Sequence, residues 1–122
     1  MSNERINLGK KGEKISIEFL KKQGYKIVET NYRCSVGEID IVAKDKDVLC
    51  FVEVKTRKSD EYGLPEEAVD RHKQRKLVKV ALAYLEEKKV YGQDLRFDVV
   101  SVYPGHIKLI KDAFIVRTDY PY

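Results

Sequence analysis

Only two cysteines occur in 122 residues, and they form neither a CxxC pair nor a spaced set with the two histidines. Cys34 and Cys50 therefore read as reduced thiols, Cys50 within a strand pattern, and no disulfide framework is expected. The seven glycines never fall into GxGxxG or a Walker pattern, which argues against a nucleotide-cradling loop. His72 and His106 lack a serine or cysteine partner for nucleophilic chemistry. Every apolar run is broken by a charge well short of the ~20 residues a membrane helix needs. The opening MSNERINLGKKGEK also lacks the apolar centre of a secretion signal. A cytoplasmic protein without a membrane partner is expected. Repeats, low-complexity tracts and linkers are missing too, so the sequence predicts a single domain over residues 1–122.

What the chain has in abundance is charge, 36% of its residues against 43% hydrophobic, as in a soluble globular protein. The net +4 conceals segregation. Residues 1–26 carry seven bases and three acids, residues 27–70 six and eleven, and residues 71–89 seven and two. Two basic segments with helical pattern thus flank an acidic middle, an arrangement suited to holding a polyanion beside a cation site.

Helical period runs through GKKGEKISIEFLKKQ, residues 9–23, with Gly24 as the stop. Lys10, Lys11, Lys14, Glu18, Lys21 and Lys22 share one arc, and Ile15, Ile17, Phe19 and Leu20 the other. Glu13 falls between the directions of Ile17 and Leu20. Either it faces the core, where an unpaired carboxylate is costly, or it sits wet in a first turn favoured by the helix dipole. Strand patterns follow at residues 25–33, 38–44 and 48–57, the last two joined through KDKD as a hairpin. The polar stretch KSDEYGLPEE then reads as a loop that orders only against a ligand, with Tyr62 a surface, core or stacking residue and Pro65 opening a helix over about 66–89. Leu77, Val78, Ala81, Tyr84 and Leu85 point inward there, Gln74 among them, and His72, Arg75, Lys76 and Lys79 outward. Strands from Leu95 and from Ile107 to Val116, separated by PGH, complete the order α-β-β-β-α-β-β, a mixed central sheet flanked by helices.

Acids and a lysine interrupt the apolar strands of GEIDIVAKDKDVLCFVEVKTR, residues 37–57. Alternate strand residues share a face, so Glu38, Asp40 and Val42 lie together, as do Phe51, Glu53, Lys55 and Arg57. A hairpin loop of two or four residues sets Asp40 opposite Glu53, whereas a three-residue loop separates them by face. Opposed carboxylates repel unless a positive charge lies between them. A Lys55 ion pair would serve structurally. A divalent cation answers better, because Mg²⁺ takes few carboxylates, several waters and a substrate phosphate. Glu13 and Gln74, on the flanking helices, would complete the shell or hold the water. Arg33, Arg57 and Lys58 beside the acids, with Lys10, Lys11, Lys14, Arg75, Lys76 and Lys79 on the helices, are the candidate backbone contacts of a nucleic acid.

Asp40 followed by Glu53-Val54-Lys55 resembles the PD-(D/E)xK signature of restriction-endonuclease-like nucleases, on the same αβββαβ core, with Ile39 where the signature has proline. More closely, GxxGE at Gly9–Glu13, NYR at Asn31–Arg33, GEIDIVA, FVEVKTR and the helix opening near PEEAV resemble the YraN-like family of small bacterial proteins. Archaeal Holliday junction resolvases are similar in placing a helical Glu, a strand Asp and an ExK pair around a metal. The resemblance implies catalytic roles for Glu13, Asp40, Glu53, Lys55 and Gln74, with Glu13, Asp40 and Glu53 on Mg²⁺ or Mn²⁺. It leads to the expectation of a metal-dependent endonuclease acting on duplex or branched DNA in repair or recombination, as a monomer or homodimer. The alternative is a non-catalytic DNA-binding or adaptor protein that keeps the fold, since fold alone does not fix function.

Overall fold

Among the described residues the elements follow in the order α1 (Ser2–Lys22), β1 (Lys26–Cys34), β2 (Gly37–Asp45), β3 (Val48–Thr56), α2 (Arg71–Lys88), β4 (Asp94–Tyr103) and β5 (His106–Ile110). They are seen in a computed structural model that describes residues 2–57 and 69–114, with side chains from Gly9 onward. The strands form one mixed sheet in sequence order, β1-β2-β3-β4-β5. All neighbours are antiparallel except β3 and β4, which run parallel and so need the crossover that contains α2. The element order is the one expected. Several boundaries differ.

Strand alternation sorts the apolar residues onto two faces. Val42, Phe51, Phe97 and Val99 meet Leu77, Val80, Ala81 and Tyr84 of α2, with Phe51 edge-on to Tyr84 at 5.7 Å between ring centroids. Ile41, Ala43, Cys50, Val52 and Val100 meet Leu20 of α1 and Tyr25 on the other face. Both faces are therefore covered, which is why β3 reads as a nearly continuous apolar run.

Helix α1 begins at Ser2, a full two turns before the expected start. Its buried stripe is Gly12, Ser16 and Leu20, at spacing i, i+4, i+8, while Ile15, expected inward, is 39% exposed. Small residues decide this contact. A Cβ built on Gly12 would collide with Thr56 Oγ1, so only glycine lets α1 approach the end of β3 this closely. Ser16 satisfies its buried hydroxyl by donating to the Gly12 carbonyl at 2.8 Å. The helix stops at Gly24 as the sequence predicts, with Tyr25 N–H donating back to the Leu20 carbonyl at 2.9 Å.

Helix α2 begins at Arg71, later than the expected residue 66, because Asp70 caps it: the Asp70 side chain accepts from Lys73 N–H at 2.9 Å. Pro65, Tyr62 and Lys58, with the stretch expected to be a loop, lie outside the described residues. Strand β5 ends at Ile110 rather than running on, because a turn follows in which Asp112 N–H donates to the buried Asp98 carboxylate at 2.9 Å. Val116 is outside the described residues.

At that end of the sheet Asp98 is 1% exposed but fully partnered. Tyr25 O–H donates to it at 2.7 Å and Arg96 Nε at 2.9 Å, and Arg96 also donates to Asp45 at 2.7 Å. A buried acid is tolerated because hydrogen bonds and a guanidinium replace its water. The network ties the α1–β1 junction to β2 and β4 on the α1 face of the sheet, opposite the face that carries Asp40 and Glu53.

Candidate active site where β2 and β3 part

The hairpin of β2 and β3 closes with a two-residue turn, since Asp45 pairs with Val48. Lys46 in that turn takes a φ of 57°. Pairing runs to Ile41↔Val52 and stops. Beyond it β2 continues beside β1 as far as Gly37, and β3 continues beside β4 to Thr56. The two strands therefore diverge at Asp40 and Glu53, the next pair in register. Asp40 Oδ2 accepts the Val54 N–H at 2.8 Å, so a side chain takes the place of a ladder bond at the fork. Gly37 begins β2 at φ 148°, and a Cβ there would press on Val80 of α2 at 3.0 Å, which keeps the strand close under the helix.

The even loop has the predicted consequence. Asp40 and Glu53 face each other electrostatically, and burial, then Glu53, push the Asp40 carboxyl up to about 7, with smaller pushes from Glu13 and Glu38 and an opposing pull from the Val54 N–H. Glu53, with 14% of its side chain exposed, is bound by Lys73 Nζ at 3.2 Å. Lys55 sits beside Lys73. Burial and then the Lys73 ammonium hold the Lys55 amine below its ordinary value, against the pull of Glu53 and Asp40. For Lys73, burial opposes charge, but acceptance by the Lys55 amine and the Glu53 carboxylate outweigh it and raise its pKa.

Glu13 approaches from α1. It is half-buried in mid-helix, which removes the first-turn alternative, and it accepts from Asn31 Nδ2 at 2.7 Å. Asn31 lies opposite Asp40, between the pairs Thr30↔Ile41 and Tyr32↔Ile39, and takes a φ of 53° that asparagine tolerates better than most residues. Asn31 thus ties the helical acid to β1 at the position opposite Asp40. Gln74 is half-buried and donates from Nε2 to the Val69 carbonyl at 2.9 Å, back toward the start of its own helix.

A groove of about 390 Å³ opens over the fork on the α2 side, lined by Asp40, Glu53, Glu38, Lys73, Lys76 and Arg33 among others. Arg33 pairs with Glu38 at 3.0 Å on the surface. Lys10, Lys11, Lys14, Arg75 and Lys79 are exposed, and Arg57 donates its N–H to the Val102 carbonyl at 2.8 Å beyond the end of β3. Lys58 falls outside the described residues. Among the described residues no three of the acids, histidines and cysteines stand close enough to cage an ion unaided.

Lys73 and Asn31 are the site residues that sequence reasoning left out. Lys73 had a legible signal, because it precedes Leu77 and Val80 at i+4 and i+7 and so shares their inward stripe. Asn31 had one as well, as the first residue of the NYR motif, but its place opposite Asp40 and beside Glu13 depends on how β1 pairs and what crosses it.

A mixed five-stranded sheet between two helices, with a helical Glu, a strand Asp and an ExK strand gathered at a fork, defines an α/β protein with a restriction-endonuclease-like core. The chain belongs to the family described as uncharacterised protein family UPF0102, the YraN family, whose model matches residues 12–102. It is 48% identical over 115 residues to a UPF0102 protein of Syntrophus aciditrophicus, covering 91% of each chain. A UPF0102 protein of Thermodesulfovibrio yellowstonii is 49% identical over 111 residues, covering 90% of this chain and 97% of its own. One from Caldanaerobacter subterraneus is 49% identical over 102 residues, covering 84% of each. Among the described residues no helix is long and apolar enough to cross a membrane.

Proposed function

We propose that this protein is a metal-dependent endonuclease that hydrolyses phosphodiester bonds of DNA, duplex or branched, in repair or recombination. The observation that carries the reading is the burial of Asp40 at the fork in register with Glu53, which together raise the Asp40 pKa to about 7. Lys73 answers the charge of Glu53 at 3.2 Å, and a divalent cation between the two acids would answer that of Asp40 as well. The donor set fits Mg²⁺ or Mn²⁺: hard carboxylate oxygens, too few to cage an ion without water and a phosphate. Asp40 and Glu53 would hold the ion, and Glu13, which accepts from Asn31 and does not complete a three-acid cage, would hold one of its waters. Bound there, the metal supplies Lewis-acid polarisation of the phosphate and a more acidic water.

The remaining chemistry belongs to the chain. Lys55, its amine held below the ordinary lysine value, is suited to orient the attacking water and take its proton. Lys73 balances the Glu53 charge and lies within reach of the phosphate that the acids would otherwise repel. Lys76 and Arg33 at the rim of the groove supply positive contacts for the flanking backbone.

The test is a cleavage panel of duplex, single-stranded, flap and four-way-junction DNA with Mg²⁺ or Mn²⁺. The unaltered protein should cut at least one substrate, and an Asp40→Ala, Glu53→Ala double variant should cut none while still binding DNA. Cleavage by the double variant at the unaltered rate would end the proposal, and so would a panel left intact by the unaltered protein, the outcome expected of a DNA-binding adaptor.

A further inference from the structure

Lys73 is a cation that the fold itself brings to the acids. It stands in the first turn of α2, where the Asp70 cap accepts its backbone N–H at 2.9 Å, and its Nζ lies 3.2 Å from Glu53 Oε1. Glu53 is also one of the two acids that would hold a divalent ion. The two cations therefore contend for one carboxylate, because an ammonium in contact with Glu53 repels a doubly charged ion placed on the same oxygens. Lys73 has somewhere else to go. Its side chain is 33% exposed, it lines the acidic groove together with Lys76 and Arg33, and its four-carbon stem lets the ammonium swing without moving the helix. Beyond the cap, the first turn of α2 carries Arg71 and Lys73 and no acid. Cations at a helix N-terminus run against the macrodipole, so this end of α2 favours an anion, and Glu53 is the acid that Lys73 meets there. With the Glu53 charge taken by a metal ion, a backbone phosphate in the groove is the anion that replaces it.

We infer that Lys73 is an exchange switch: it holds Glu53 until a divalent cation takes that carboxylate, and then moves to a phosphate of the DNA backbone in the same groove. Metal and DNA consequently bind with positive coupling. The metal ion frees Lys73 for the phosphate, and the phosphate draws Lys73 away from the carboxylate that the metal needs, so each raises the affinity for the other by the same factor. The device also keeps the acids neutralised by the chain's own charge until both ligands arrive. This inference rests on the endonuclease reading and adds how the site is regulated by its own substrate.

Two titrations test it, neither of which reads activity. Calorimetry measures Mn²⁺ affinity of the protein alone, and fluorescence anisotropy measures the affinity for phosphorothioate DNA, which keeps the backbone charge and resists cleavage, with and without Mn²⁺. Lys73→Met and Lys73→Gln are compared with the unaltered protein, each first shown by thermal melting to be folded, and Lys88→Gln removes an equal charge from the last turn of α2 as a control. Without DNA, both Lys73 variants should bind Mn²⁺ roughly ten-fold more tightly than the unaltered protein, within the usual range of coupling between sites, and the Lys88 control should stay within about two-fold. For DNA, the Lys73 variants should lose less than about two-fold in affinity without metal and roughly five-fold or more with Mn²⁺. Mn²⁺ affinity that is unchanged or weaker in the Lys73 variants overturns the exchange alone, and so does an equal loss of DNA affinity with and without metal, which would make Lys73 a plain phosphate contact. If neither the unaltered protein nor the variants bind Mn²⁺, or if none binds DNA, the endonuclease reading falls and the exchange with it.

Discussion

Asp40 holds its proton more tightly in the folded chain, at about 7, than at the ordinary value of 3.8. The sign follows directly: its contribution to stability is present below 3.8 and lost as pH rises through about 7. Asp40→Asn keeps an oxygen for the Val54 N–H but never ionises. Its melting temperature should therefore exceed that of the unaltered protein at about pH 8, with the difference shrinking toward pH 5. Scanning calorimetry across that range checks this, and Mn²⁺ added at the higher pH should raise the melting temperature of the unaltered protein and leave the variant nearly unmoved. Lys55 is expected to behave differently from the acids. Lys55→Ala should retain Mn²⁺ affinity by calorimetric titration yet lose about 10²-fold or more in turnover, as for removal of a general base. Equal loss of metal binding would make Lys55 a counterion of the acids instead.

At the scale of elements, the contact of α1 with the end of β3 sets where Glu13 stands. Gly12→Ala puts a Cβ against Thr56 Oγ1, so helix or strand must move. The expected cost is about 1–3 kcal/mol in urea unfolding, as for other overpacked contacts. Adding Thr56→Ala removes the opposing atoms and should restore much of it, a coupling that a double-mutant cycle reads out. If the two changes simply add, the close approach is not what positions α1. The same contact shows why Ile15 was misassigned. Hydrophobicity along α1 favours Ile15, but close packing favours the smallest residues, and it is Gly12 and Ser16 that touch the sheet.

For the molecule as a whole, the basic helices lie on opposite faces of the sheet, and Lys73 of α2 reaches Glu53 at the fork. DNA held across both should bind with a steep salt dependence, because each neutralised phosphate adds about −0.9 to the log-log slope. Lys76 and Lys79 are exposed on α2. Replacing both with glutamine should reduce that slope by roughly two phosphates' worth, with single-stranded DNA somewhat less affected than duplex. Anisotropy titrations over a range of NaCl concentrations measure it. An unchanged slope would place the DNA-binding surface elsewhere.

Element order, the β2–β3 hairpin and the stop of α1 at Gly24 were legible in the sequence, because period and turn signals are local properties of a chain, whereas the alignment of Asp40 with Glu53 hung on a loop length that the sequence left open and the two-residue turn decided. The start of α2 was not, since a capping aspartate at residue 70 competed with a proline at 65 and both are sound start signals. What the tertiary structure alone decided is the site's surroundings. The parting of β2 from β3, the bend at Asn31 that meets Glu13, and the pairing of Lys73 with Glu53 each join residues from different elements. Periodicity assigns a residue to a face, but which neighbours share that face depends on how closely the helices pack, and here a glycine at 12 and a glycine at 37 govern that closeness.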